Sequence, residues 1–129
     1  MIPRTTPVPN GLLDRWLPTL RDTELRVLLV VCRATCGFRA GPEAGMRARK
    51  RRDWLSHRQL VARTGRASAA VSRAVEALAR NGLLVVEDAA GNPLMTAAER
   101  RRHLGQLYYR IGAGAGAGAG VNSAPAATG

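Results

Sequence analysis

Lysine is nearly missing from this chain. Lys50 is the only one among 20 cations, so arginine carries almost all of the positive charge. Acids are scarce as well, 9 in 129 residues, and the formal net charge is +11. Aromatic residues make up 4% against a hydrophobic content of 46%. That excludes a core of stacked rings and leaves Leu, Val and Ala to fill it, which suits packed helices. The only cysteines are Cys32 and Cys36, four residues apart in an apolar helical run. A zinc site needs two further ligands, and His57 and His103 sit in different contexts, so buried thiols and no metal are expected. No apolar run approaches the ~20 residues of a membrane span. The first ten residues hold Pro3, Pro7 and Pro9 and no apolar stretch, unlike a secretory leader, so a cytoplasmic protein is expected.

Catalytic chemistry is equally hard to find. The acids are scattered, and the adjacent Glu87 and Asp88 would point to opposite faces of a strand. Phosphate loop, nucleophile elbow and metal-ligand spacing are all lacking, and the glycines of residues 112–120 have no strand–turn–helix context. The expectation is a protein that is not an enzyme and carries no cofactor.

What is present is a basic chain of one-domain size. Its charge predicts attraction to polyanions, nucleic acid first and anionic membrane surfaces second. Arginine adds bidentate contact to phosphate and guanine, although arginine richness also follows GC-rich coding.

Residues 1–10 read as an extended arm. Asn10 is a candidate cap for a short helix over 11–17, on which Leu12, Leu13, Trp16 and Leu17 share one side and which Pro18 stops. Asp22 starts a long helix through Thr35. In it Leu25, Leu28, Leu29 and Cys32 follow the i, i+3, i+4, i+7 pattern, and Val27, Val30 and Val31 make most of the remaining surface apolar, as in a central core helix. Residues 38–52 read as a mobile basic loop. Ser56-His57-Arg58-Gln59 fits the capping box, in which Ser accepts from a backbone N–H and Gln returns the bond. A short helix over 57–64 follows, with Leu60 and Val61 inward, and Gly65 takes a left-handed turn. Ser68 is the expected cap of a helix over 69–81, whose inner stripe is Val71, Ala74, Val75 and Leu78, and Asn81-Gly82 ends it. Residues 83–88 and 106–111 read as two strands. Between them lie a Gly91-Asn92-Pro93 turn and the basic cluster Arg100-Arg101-Arg102-His103. Residues 112–129, alternating Gly and Ala before turning polar, are expected to be a disordered tail.

This order predicts a mainly α (α+β) fold over residues 11–111: a winged helix-turn-helix with a C-terminal β-hairpin wing. In that device the second helix lies in the major groove, the first braces it, and the wing reaches neighbouring phosphates. Arg66, Ser68, Ala69, Ala70, Ser72 and Arg73 all fall outside the apolar stripe and are the candidate groove residues. Small residues admit close backbone approach, and a guanine contact by Arg66 or Arg73 is worth roughly 1–3 kcal/mol of discrimination. Arg49, Lys50, Arg51 and Arg52 in the loop, and Arg100, Arg101 and Arg102 in the wing, are candidate phosphate contacts. Each feature alone also fits a solvated surface; their common placement on one architecture points to double-stranded DNA.

Pro9-Asn10-Gly11-Leu12-Leu13-Asp14, Glu24-Leu25-Arg26-Val27-Leu28-Leu29 and Arg33-Ala34-Thr35-Cys36-Gly37-Phe38 resemble the N-terminal domain of lambda-type phage replication initiators, the O-protein family. The likeness continues through Asp53-Trp54-Leu55-Ser56, Gln59-Leu60, Thr64-Gly65, Ala70-Val71-Ser72 and Leu78 to Gly82-Leu83-Leu84. It spans residues 8–88, and less closely the wing to Ile111. The resemblance implies a winged-helix domain that binds repeats at a replication origin, usually as a homodimer. Such initiators carry a C-terminal region that recruits the helicase-loading machinery; the Gly/Ala tail here departs from it. Two other readings stay open at this stage: a transcriptional repressor of the MarR or GntR sort, and a protein-interaction module of a replisome. All place the chain in the cytoplasm, the DNA-binding ones at the nucleoid.

Overall fold

The computed structural model describes residues 5–35 and 52–117. Its centre is α1 (Asp22–Thr35), with the bounds that the sequence pattern predicts. Its inward arc differs from the expected one. Val27, Leu28, Val31 and Cys32 are fully buried, whereas Leu29 is 42% exposed and Leu25 half-buried. A helix apolar on most sides does not itself choose which arc faces inward. That choice falls to its neighbours α2 (His57–Thr64), α3 (Ser68–Arg80) and β3 (Tyr108–Ile111), all packed against α1.

Ahead of α1 the chain forms a π-helical turn, Leu12–Trp16, running directly into a 3-10 turn, Leu17–Thr19. Pro18 sits in the first turn of the latter and does not stop the helical path. Its missing N–H has no intrahelical partner to lose there. Gly11, not Asn10, takes the N-cap position, and no side chain caps this turn.

The α2 start is capped as its sequence predicts. The Gln59 N–H donates to Ser56 Oγ at 3.0 Å, and the Ser56 N–H donates to Gln59 Oε1 at 2.8 Å. Gly65 closes the helix at φ +71°, a conformation that costs other L-residues roughly 1–2 kcal/mol. Arg26 of α1 donates to the Thr64 carbonyl at 2.7 Å, so α1 satisfies an end group of α2. The next helix, α3, begins one residue earlier than expected. Ala67 is its N-cap, without a side-chain bond, and Ser68 is already helical. Its inner stripe is the expected one: Val71, Ala74, Val75 and Leu78 are buried.

Three antiparallel strands complete the fold in the order β1 (Asp53–Trp54), β3, β2 (Leu84–Glu87). The short β1 was not foreseen as a strand. Pairing Val86 with Tyr109 and Leu84 with Ile111 sets one apolar face toward α1. On the other face Val85 lies opposite Arg110, and Glu87 opposite Tyr108. Alternation of this kind is what a sheet covered on one side requires. Leu, Val and Ala dominate the core, and Tyr109 is its one fully buried aromatic among the described residues.

Two further helices went unread. In the β2–β3 connection, α4 (Ala97–Arg102) is opened by a second capping box, Thr96 with Glu99. After β3, α5 (Ala113–Ala117) occupies residues expected to belong to a disordered tail. Ala115 is fully buried, and Trp16 Nε1 donates to the Gly114 carbonyl at 3.3 Å. The rest of that expected tail, residues 118–129, lies outside the described residues, as do residues 1–4 of the expected arm.

Candidate nucleic-acid interface

On α3 the side away from the core carries Ala69, Arg73, Glu76 and Arg80 at i, i+4, i+7 and i+11, flanked by Ser72. Ser68, Ala69, Ser72 and Arg73 are exposed; Arg66 and Ala70 are half-buried. The sequence-predicted residues on this helix therefore do form one accessible surface at its N-terminal half. Ser68 is an exception in role. Its hydroxyl is bonded to His57 Nε2 at 2.8 Å, tying the start of α3 to the start of α2. The His57 contribution was not foreseen, because residues eleven apart in sequence meet only once the Gly65 turn is made.

The connection from β2 to β3 is built in two stages. A tight turn at residues 88–92 comes first, closed on the Asp88 carboxylate. It accepts the N–H groups of Ala90 at 3.0 Å and Asn92 at 2.8 Å, and the Asn92 side-chain amide at 3.1 Å. Those Asn92 bonds hold the Asp88 carboxyl below its ordinary range. The chain then returns along β2, with the Leu94 N–H donating to the Val86 carbonyl at 2.8 Å, before α4 begins.

Arginines expected on phosphate separate into two groups. Arg100 is buried, 9% exposed, ion-paired to Glu76 of α3 and donating to the Leu94 carbonyl at 2.9 Å. Its charge docks α4 onto α3 and is not offered to a ligand. Arg52 is likewise occupied. It pairs with Glu87 at 3.3 Å, donates to the carbonyls of Asp88 and Ala89 at 3.0 and 2.7 Å, and lies 4.3 Å over the Tyr108 ring. Arg110 reaches the same buried Glu87 at 3.5 Å. Arg52 and Arg100, both expected on phosphate, thus each already have a carboxylate partner, which sequence spacing does not reveal. Arg101 and Arg102 are exposed and pair with no carboxylate among the described residues. Arg49, Lys50 and Arg51 lie outside the described residues.

A cleft of about 520 Å³ runs along the solvent side of α3. Its walls are the start of α1, with Arg21, Thr23 and Glu24, and α4, with Ala97 and Arg101. Ala70, Ala74 and Ala77 line it from α3 beside Arg73 and Arg80. Neither Arg21 nor Arg80 was singled out in the sequence.

Among the described residues no group of three or more His, Cys, Asp or Glu could hold a metal ion, and no helix is long and apolar enough to cross a membrane. No family model matches the chain, and neither does any curated protein or solved structure.

Proposed function

We propose that the protein binds double-stranded DNA sequence-specifically as a winged helix-turn-helix domain, at origin repeats of a phage- or plasmid-type replicon. In this reading α2, Gly65 and α3 are the helix-turn-helix, α3 is the recognition helix, and the β2–β3 connection is the wing. The helix, strand, two helices and strand pair succeed one another in the order the motif needs, and the chain carries a formal net charge of +11.

The single observation that carries the proposal is the N-terminal half of α3. It presents Ala69, Ser72 and Arg73 to solvent on a helix whose opposite side is fixed in the core by Val71, Val75 and Leu78. Small side chains let a helix approach base edges closely, and an arginine without a carboxylate partner is available for guanine O6 and N7. Origin repeats as the target rest on the resemblance to lambda-type initiators alone.

The test is a pull-down of fragmented source DNA with the purified protein, followed by sequencing and titration of the recovered site. Clustered repeats beside replication genes are the expected recovery; single promoter sites would make the protein a repressor. On the recovered duplex Arg73→Ala should cost about 1–3 kcal/mol and relax preference at one base pair. Unchanged affinity and preference in that variant would remove α3 from the groove.

A further inference from the structure

We propose that the cleft between the start of α1, the recognition helix α3 and the wing helix α4 holds a stretch of DNA backbone, making Arg21 and Arg80 phosphate contacts beside Arg73 and Arg101. The proposal rests on the DNA-binding reading and extends it to residues that neither the motif nor the sequence pattern marks.

Charge is the first argument. Four arginines line the cleft against two carboxylates, and both carboxylates are committed to the protein itself. Glu24 Oε1 accepts the Arg21 backbone N–H at 2.9 Å, and Glu76 holds buried Arg100 and, at 3.6 Å, Arg80. The guanidiniums of Arg21, Arg73 and Arg101 have no carboxylate partner among the described residues. Shape is the second. Ala70, Ala74 and Ala77 keep the α3 side of the cleft shallow, so a polymer backbone can approach the helix itself. Extent is the third. Arg73 and Arg80 stand two turns apart, roughly 10 Å along α3, which is further than one phosphate group reaches. All four arginines are exposed, two on α3, one on α4 and one just ahead of α1. They are arranged to follow an extended polyanion rather than to enclose a small one.

The wing helix makes this arrangement fixed. The buried Arg100–Glu76 pair docks α4 on α3, so Arg101, the next residue, is held at the cleft wall and does not swing on a hairpin tip.

The test is the salt dependence of duplex binding by the full chain, comparing the wild type with Arg21→Gln, Arg80→Gln and their double variant. Arg33→Gln serves as the charge control, an exposed arginine about 18 Å farther along α1. Circular dichroism and melting establish that each variant is folded. Each cleft substitution should reduce the slope of log affinity against log salt by about 0.9, and the double variant by about 1.8, with the ratio of specific to mismatched duplex unchanged. Arg33→Gln should leave the slope at the wild-type value. Wild-type slopes in the folded cleft variants would overturn the cleft while leaving α3 in the groove. An equal loss in Arg33→Gln would overturn it too, by showing a response to net charge alone. Inorganic pyrophosphate is the probe for a small ligand. Pyrophosphate binding that disappears in the double variant while duplex affinity holds would assign the cleft to a free phosphate compound. Absence of duplex binding by the wild type itself would instead sink the DNA-binding reading, and this inference with it.

Discussion

Glycine at two places does work that another residue would do only at a cost, and for different reasons. At Gly65 the requirement is conformational: φ is +71°, while a Cβ there would meet Arg26 Nη1 at an ordinary 3.7 Å. Gly65→Ala should therefore cost only about 1 kcal/mol, near the lower end of the left-handed penalty. At Gly112 the requirement is space. Its N–H donates to the Leu83 carbonyl at 2.8 Å, and an added Cβ would overlap the Gly82 carbonyl, a backbone group with no rotamer to yield. Gly112→Ala should cost about 2–3 kcal/mol through displaced backbone. For a chain of this size that lowers the melting temperature by roughly 10 °C. Thermal melting of the two variants ranks them; a Gly112→Ala protein melting with the wild type would show that β3 and the turn after α3 can separate freely. Composition suggested a loose tail from residue 112 onward, because Gly and Ala alternate there. What holds the first part of it is one buried methyl, Ala115, the Trp16 bond to the Gly114 carbonyl and the close approach at Gly112, and none of these leaves a periodic apolar signal.

At the scale of elements, α4 is attached to α3 by charge rather than by apolar burial. Glu76 is its anchor, bonded to buried Arg100 and, more loosely, to Arg80 one turn along. Replacing Glu76 with Ala leaves the Arg100 guanidinium buried with the Leu94 carbonyl as its remaining partner. Partial exposure of Glu76 screens the loss, so about 1–3 kcal/mol of destabilisation is expected. Hydrogen exchange should locate it, with amides of residues 97–102 opening while those of α3 stay protected. Glu76→Gln, which keeps an acceptor, should restore part of that protection. Equal exchange in wild type and Glu76→Ala would mean that α4 is held by something other than this pair. Sequence reading found α1, α2, α3 and both long strands because apolar periodicity and one capping box mark them. It missed α4 although Thr96 and Glu99 spell the same box, because the polar residues after it offer no stripe to follow. It also treated all of Arg100–Arg102 as one surface cluster. Which of three adjacent arginines turns inward depends on where Glu76 stands, a fact about packing and not about spacing. The α3 surface was legible, since the complement of a buried stripe is exposed. Arg21 and Arg80 became cleft residues only when α1 and α4 were placed around them.

At the scale of the whole molecule the stability should depend on alkaline pH through the core phenol of Tyr109. Tyr109 lies on the central strand, 2% exposed, paired across to Val86 on one side and Asp53 on the other. Burial pushes its phenol up to about 12 from an ordinary 10.0, against a smaller opposing pull from Arg100. The folded state thus keeps the proton that the unfolded state gives up. The associated stability is fully present below pH 10, is lost as pH rises from there to about 12, and changes no further above that. Two units correspond to roughly 2–3 kcal/mol, a sizeable fraction of the 5–15 kcal/mol typical of a domain. Urea unfolding at a series of pH values, with phenolate absorbance followed in parallel, measures both quantities. Tyr109→Phe keeps the ring and removes the ionisation, so its stability should fall less steeply than that of the wild type over this interval. Parallel curves for the two proteins would mean that the phenol reaches solvent before the fold opens. The ionisation should also report on the assembly as a unit, because Tyr109 meets water when β3 parts from α1, the helix against which α3 also packs.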